Sequence, residues 1–141
     1  MSLRRGRSAL QGLSAQIGAN VPNPKSKIQN PKPKSEETLR EKKLGLLLTS
    51  SPERPAFRHA VKLAEAALAA GVKVYAYCID DAVLGVQDAG LQSLRSRGLN
   101  LYACAYAAQR RRLPATDAAV FAGLTVVSDI ISATDRFVTF G

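Results

Sequence analysis

One cysteine stands just upstream of three consecutive arginines in "NLYACAYAAQRRRLP", residues 100–114. Cys104 closes an apolar stretch, and Arg110 follows six positions later. The eight residues "AYAAQRRR" are good helix formers, which puts Cys104 at a helix start, where unpaired backbone N–H groups favour a thiolate over a thiol. A free thiol titrates near about 8.5, and settings of this kind lower that by one to several units. Arg110 and Arg111 lie within two helical turns, so their side chains can fold back toward the sulfur or reach a neighbouring subunit. A guanidinium does not give up its proton, so it stabilises an anion without acting as an acid. That chemistry suits a thiolate, a persulfide or a sulfur oxyanion. On spacing alone a second reading stays open, in which Cys104 is a small buried hydrophobe and the arginines are a solvated helix end.

The other chemistry-bearing residues read differently. Cys78 lies inside the apolar segment "VKVYAYCI" with no arginine close in sequence, and is assigned to the core. Two cysteines make no disulfide framework in a chain of 141 residues, and a reducing cytoplasm is the simplest setting. Asp80 and Asp81 end the second apolar run. Paired acids can hold a metal, but no further ligands cluster with them, so capping or a solvated loop is the default and no metal is expected. His59 is the only histidine, on the polar flank of a helix, with no cysteine close enough in sequence to suggest a Cys-His pair. "TSSPERP", residues 49–55, lacks the glycines that cradle a phosphate. Thr49, Ser50 and Ser51 are therefore assigned to a supporting wall of the cysteine pocket, and no organic cofactor is expected.

Alternating periodicities supply the elements that position these residues. "KKLGLLLT" is a short apolar run of the kind buried on both faces of a sheet. "AFRHAVKLAEAALAAG" places Phe57, Ala60, Val61, Ala64, Ala67 and Leu68 on one helical face and ends at Gly71. "VKVYAYCI" is a second strand. After a loop, Asp88 is suited to cap a helix through Leu91 and Leu94 that stops at Gly98. "LNLYACA" is a third strand. "GLTVV" reads as a short strand, Ser128 as the cap of a brief helix through Ile130 and Ile131, and "RFVTF" as the last strand. Strands alternating with helices predict a three-layer α/β/α domain around a mostly parallel sheet of about five strands, with right-handed crossovers. In such a sheet ligands bind beyond the carboxyl ends of the strands, which is where Cys104 sits.

The charge of +9 is unevenly spread. Residues 1–35 hold seven basic residues and no acid, whereas the remainder holds thirteen basic and eleven acidic, a net of +2. "VPNPKSKIQNPKPKSEE" has too few apolar residues to offset chain entropy, so residues 1–41 are expected to form a disordered basic tail before a domain at 42–141. The basic balance belongs to that tail and lacks interleaved aromatics, which argues against a nucleic-acid partner. No stretch approaches the roughly 20 apolar residues of a membrane span. The arginine-rich start also lacks the apolar core of a secretory signal.

"LYACAYAAQRRR" resembles the cysteine segment of the DsrE/DsrF/TusD-like sulfur-relay proteins, in which a strand-end cysteine is followed by five mostly small residues and an Arg-Arg pair. "KLGLLLTSSPERPAFRHAVKLAEAALAAGVKV" is similar to that family's opening strand, Thr-Ser-x-Pro loop and first helix, and "TDRFVTFG" to its closing strand. The likeness covers residues 42–141. It implies a DsrE-like, Rossmann/flavodoxin-like fold and a persulfide carrier or sulfurtransferase with Cys104 accepting sulfur and Arg110 and Arg111 stabilising the anion. It also implies sulfur-donor and sulfur-acceptor protein partners and a homotrimer or homohexamer. Two departures bear on this. The family has glycine after the arginine pair, where this chain has Arg112, and the segment after Pro114 is shorter than in TusD-type subunits, which favours a stand-alone homo-oligomer.

Overall fold

Short apolar runs and amphipathic helices do alternate along the chain, and winding them in one direction builds a single sheet edge. The computed structural model describes residues 38–141, so the expectation for the tail at residues 1–37 lies outside the described residues. Leu39–Gly141 forms one compact unit. In order, its elements are β1 (Lys43–Leu48), α1 (Pro55–Ala69), β2 (Lys73–Cys78), a 3-10 helix (Asp80–Gly85), α2 (Ala89–Ser96) and β3 (Asn100–Cys104). Then come α3 (Ala105–Arg110), β4 (Val120–Ala122), α4 (Thr125–Ala133) and β5 (Arg136–Phe140). All five strands are parallel, in the order β4-β3-β2-β1-β5.

Each boundary has a local cause. Pro55 opens α1, and Gly71 closes it with φ +86°, a left-handed conformation that places the Val72 N–H on the Ala67 carbonyl at 2.9 Å. Phe57, Ala60, Val61, Ala64 and Ala67 are its buried stripe, as the spacing predicts. Asp88 caps α2 by accepting from the Gly90 and Leu91 N–H groups at 2.8 and 3.2 Å, and also pairs with Arg58 of α1. Partial burial raises its carboxyl, but Arg58 and the two N–H groups outweigh that and hold it below the usual range. Gly98, at φ +111°, then turns the chain into β3.

Winding β1 through β4 in one direction keeps α1 and α2 on one face, where they pack against each other. The return from β4 to β5 carries α4 over the opposite face, onto β1 and β5. Gly45 permits that approach. A Cβ there would meet Ile130 Cγ2 and Phe137 Cδ2, both at 2.7 Å. α4 leaves part of its face bare, so Tyr75 and Tyr102 are only half-buried beside it and Val120 is exposed.

The segment after Pro114 corrects two expectations. The strand there is Val120–Ala122, one step earlier than "GLTVV", whose last three residues belong to α4. Ser128 lies mid-helix on the exposed side and caps nothing. β-branched residues misled the reading because Val126, Val127 and Ile130 recur at helical spacing and pack one face of α4 on the core. Three residues of β4 are too few to show an alternation of their own.

Cys78 is fully buried, and burial pushes its thiol from 9.0 up to about 12. Below about pH 9 the thiol is protonated in both the folded and unfolded chain. Above that, unfolding releases a proton, so stability is lost as pH rises from about 9 through 12. Urea unfolding at a series of pH values should show this fall, and Cys78→Ala should flatten it while lowering stability below about pH 9 through the lost packing.

Candidate functional site

β3 delivers Cys104 to the carboxyl edge of the sheet, and the chain turns directly into α3. Cys104 is therefore both the last strand residue and the N-cap of the helix, with φ −67° and ψ 115°. Its Sγ accepts a hydrogen bond from the Ala107 N–H at 3.4 Å. This is the position of a serine or aspartate cap, filled by sulfur. The residue is only 3 % exposed, yet it lines a cavity of about 570 Å³ at the sheet edge. Tyr106 and Arg110 from α3, Arg111 just after it, Asp80 from the 3-10 helix and Leu124 ahead of α4 line the same cavity.

The structure thus brings together Cys104, Arg110 and Arg111, but it gives the two arginines different partners. Arg111 donates from Nε and Nη2 to Asp81 Oδ1, at 3.1 and 2.8 Å, and from Nη1 to the Ala107 carbonyl at 3.3 Å. That ion pair ties α3 to the 3-10 helix. Arg110 makes no ion pair among the described residues. Its Nη1 meets the Tyr106 hydroxyl at 3.0 Å, and its guanidinium lies 5.8 Å from the Tyr106 ring centroid. Of the two, Arg110 is the cation whose charge is not offset by a neighbouring carboxylate.

Thr49, Ser50 and Ser51 do not line this cavity. Their loop follows β1, and β2 stands between β1 and β3 in the sheet. Thr49 is occupied instead at the β5 edge, donating its backbone N–H to the Phe140 carbonyl at 3.0 Å. His59 is exposed on α1, as its polar flank predicts. Among the described residues no cluster of three or more His, Cys, Asp or Glu side chains is arranged to hold a metal. No helix among them is long and apolar enough to cross a membrane.

Two contributors escaped the sequence reading. Asp81 carries the Arg111 ion pair, thirty residues away in sequence. Tyr77 of β2 is fully buried, and its hydroxyl reaches across β3 to donate to the carbonyl of Ala122, the residue paired with Cys104, at 3.0 Å. Neither has a local signal. The only hint is that residues near the carboxyl ends of β2 and β3 must be neighbours once the strands are paired in parallel.

Residues 42–140 match the model of the DsrE/DsrF-like family. The chain belongs to the DsrE/DsrF-like family. That membership implies a sulfur-relay-type role in general. No curated protein matches the sequence. Among solved structures, this DsrE-like chain is similar to the YchN protein from E. coli. The likeness covers 70 % of this chain and 99 % of that one, at 16 % identity and a TM-score of 0.56. At that identity it shows a shared fold.

Arg111 is paired with Asp81, whereas Arg110 has no ion-pair partner among the described residues. Replacing Arg110 with Gln should slow iodoacetamide alkylation of Cys104 at neutral pH by about two- to fivefold, the range of a partly solvated charge. Removing both partners of the ion pair, Arg111→Gln with Asp81→Asn, should change the rate little. Asp81→Asn alone, which unmasks Arg111, should raise it. Peptide mass spectrometry of timed reactions separates Cys104 from Cys78.

Proposed function

We propose that this DsrE-family protein is a sulfur carrier and sulfurtransferase that takes sulfane sulfur onto Cys104 as a persulfide and hands it to a partner protein. The observation that carries the reading is the setting of Cys104. Its sulfur ends a strand, accepts the Ala107 N–H and opens onto a cavity that also holds Arg110 and Arg111. A thiolate there needs donors and positive charge, and both are within the site.

The transfer balances without an external oxidant. The Cys104 thiolate attacks the outer sulfur of a donor persulfide, the donor S–S bond breaks as the new S–S bond forms, and the donor leaves as a thiolate. An acceptor thiolate then repeats the exchange on the Cys104 persulfide and returns the Cys104 thiolate. The protein supplies position and charge. Arg110 stabilises the anionic sulfur, and Arg111, tied to Asp81, holds α3 against the 3-10 helix.

A reducing compartment such as the cytoplasm keeps the thiol free for this chemistry. A homotrimer or homohexamer would cover the apolar surface that α4 leaves open around Tyr75, Tyr102 and Val120. The sulfur-carrying domain runs over residues 42–141, and residues 1–41 are dispensable for loading.

Intact mass after incubation with a sulfane-sulfur donor tests the reading. Wild type should gain one or two sulfur atoms, reversed by a reductant. Cys104→Ser should abolish the gain, whereas Cys78→Ser and deletion of residues 1–41 should retain most of it. If wild type gains no sulfur, Cys104 is a structural cap in a non-catalytic binding or assembly subunit.

A further inference from the structure

Tyr77 heads the fully buried side chains by volume, and yet it carries a polar hydroxyl. In the β2–β3 ladder it is paired with Tyr102, and Cys104 follows two residues later on the same sheet face. The hydroxyl crosses β3 and donates to the Ala122 carbonyl on β4 at 3.0 Å. Ala122 is itself the register partner of Cys104 in the next ladder. The side chain therefore spans from one neighbouring strand to the other on the sheet face that carries Cys104, and its hydroxyl ends at the carbonyl of the residue paired with the cysteine.

We propose that Tyr77 is a hydrogen-bond donor to the anionic sulfur of Cys104, turning its hydroxyl proton from the Ala122 carbonyl to the sulfur. In the thiol state the tyrosine oxygen can accept the weak S–H while its own proton stays on Ala122. Once the sulfur is an anion it can only accept, and the same hydroxyl rotates about its C–O bond to meet it. No heavy atom has to move, and the proton stays on oxygen throughout. Hydrogen bonds to charged acceptors are roughly twice as strong as neutral ones, which favours the turn toward sulfur.

Burial, and then the neighbouring Cys104, hold the Tyr77 hydroxyl above its ordinary value of 10.0. It therefore keeps its proton over the whole range in which cysteine chemistry runs. The other groups facing the sulfur are the Ala107 N–H and Arg110 from α3, Arg111 just after it and Asp80 from the 3-10 helix, whose carboxylate opposes an anion there. β4 contributes no charged side chain. Among the described residues Tyr77 is thus the buried hydroxyl placed beside Cys104 by strand register, whereas Arg110 and Arg111 line the open cavity.

The consequence for sulfur transfer rests on the carrier reading above, but the test does not. In the full-length chain, Tyr77→Phe removes the hydroxyl and keeps the ring. The rate of Cys104 alkylation by iodoacetamide, followed against pH, should shift upward by about half a unit to one unit, or three- to tenfold slower at neutral pH. Circular dichroism should match wild type. Site-specific 3-fluorotyrosine at position 77, a stronger donor of nearly the same shape, should move the profile the other way and decides the matter if Tyr77→Phe does not fold. A folded Tyr77→Phe protein with the wild-type profile, or a fluorotyrosine protein whose profile stays put or rises, overturns the proposal. Alkylation needs no sulfur donor, so the two ideas fail separately. A wild type that takes up no sulfur but shows the expected shifts sinks the carrier and keeps Tyr77. Normal sulfur loading with unmoved profiles sinks Tyr77 alone.

Discussion

A residue that ends a buried strand and caps the next helix has its side-chain direction fixed twice. Cys104 is such a residue. Its pairing with Ala103's neighbours in the sheet is set by the parallel ladders on either side, where β2 aligns Cys78 with Ala103 and β4 aligns Ala122 with Cys104. Its Sγ then accepts the Ala107 N–H in the first turn of α3. A serine there would make a stronger cap. Sulfur is a weaker acceptor than oxygen, so the cap that holds Cys104 in place is a modest one.

Everything else at the sheet edge follows from where α3 is sent. Only six residues long, it has too few turns to be stable alone and must be held from outside. Arg111 does this through Asp81, and Ala107 and Ala108 do it by burial. Gln92 of α2 fastens the following segment by donating to the Val86 and Ala118 carbonyls at 2.6 and 2.9 Å, which brings β4 alongside β3. Arg110, by contrast, is spent on none of these contacts. One arginine holds the helix through an ion pair and its neighbour makes none among the described residues, a division that sequence adjacency hides.

The core was legible because its signals are local and redundant. α1 has an apolar stripe of five buried residues and a glycine stop, and α2 has an aspartate cap that the structure uses as one. β1, β2 and β3 are apolar runs between turn residues. Cys104 at the end of β3 followed from the same reading. The region after Pro114 was not legible, since β4 has three residues and α4 is rich in β-branched side chains that mimic a strand. Within the site, the arginines were visible as charges, but Asp81 and Tyr77 matter only through pairings that the chain makes across the sheet. The assignment of Thr49, Ser50 and Ser51 to the pocket failed for the converse reason. It treated neighbours at the same sheet edge as one site, when β2 lies between them.

That separation bears on how the fold is used. In an open parallel sheet the natural crevice lies where the winding reverses, here between β1 and β5, beside Thr49. In this protein the Thr49 N–H donates across that position to the Phe140 carbonyl at 3.0 Å, and Gly141 lies close against Thr49, where an added Cβ would stand 3.0 Å from Oγ1. The open cavity lies on the other side, over β3, where a backbone fixed by two ladders presents one thiol. A nucleotide needs the long crevice and the glycine-rich turn. A single sulfur atom needs only one well-aimed acceptor and the charge to hold it. Arg112, at φ +56° directly after the arginine pair, marks the limit of that arrangement. It occupies a left-handed turn that glycine would adopt without strain, so the third arginine comes at some cost to the chain just after α3.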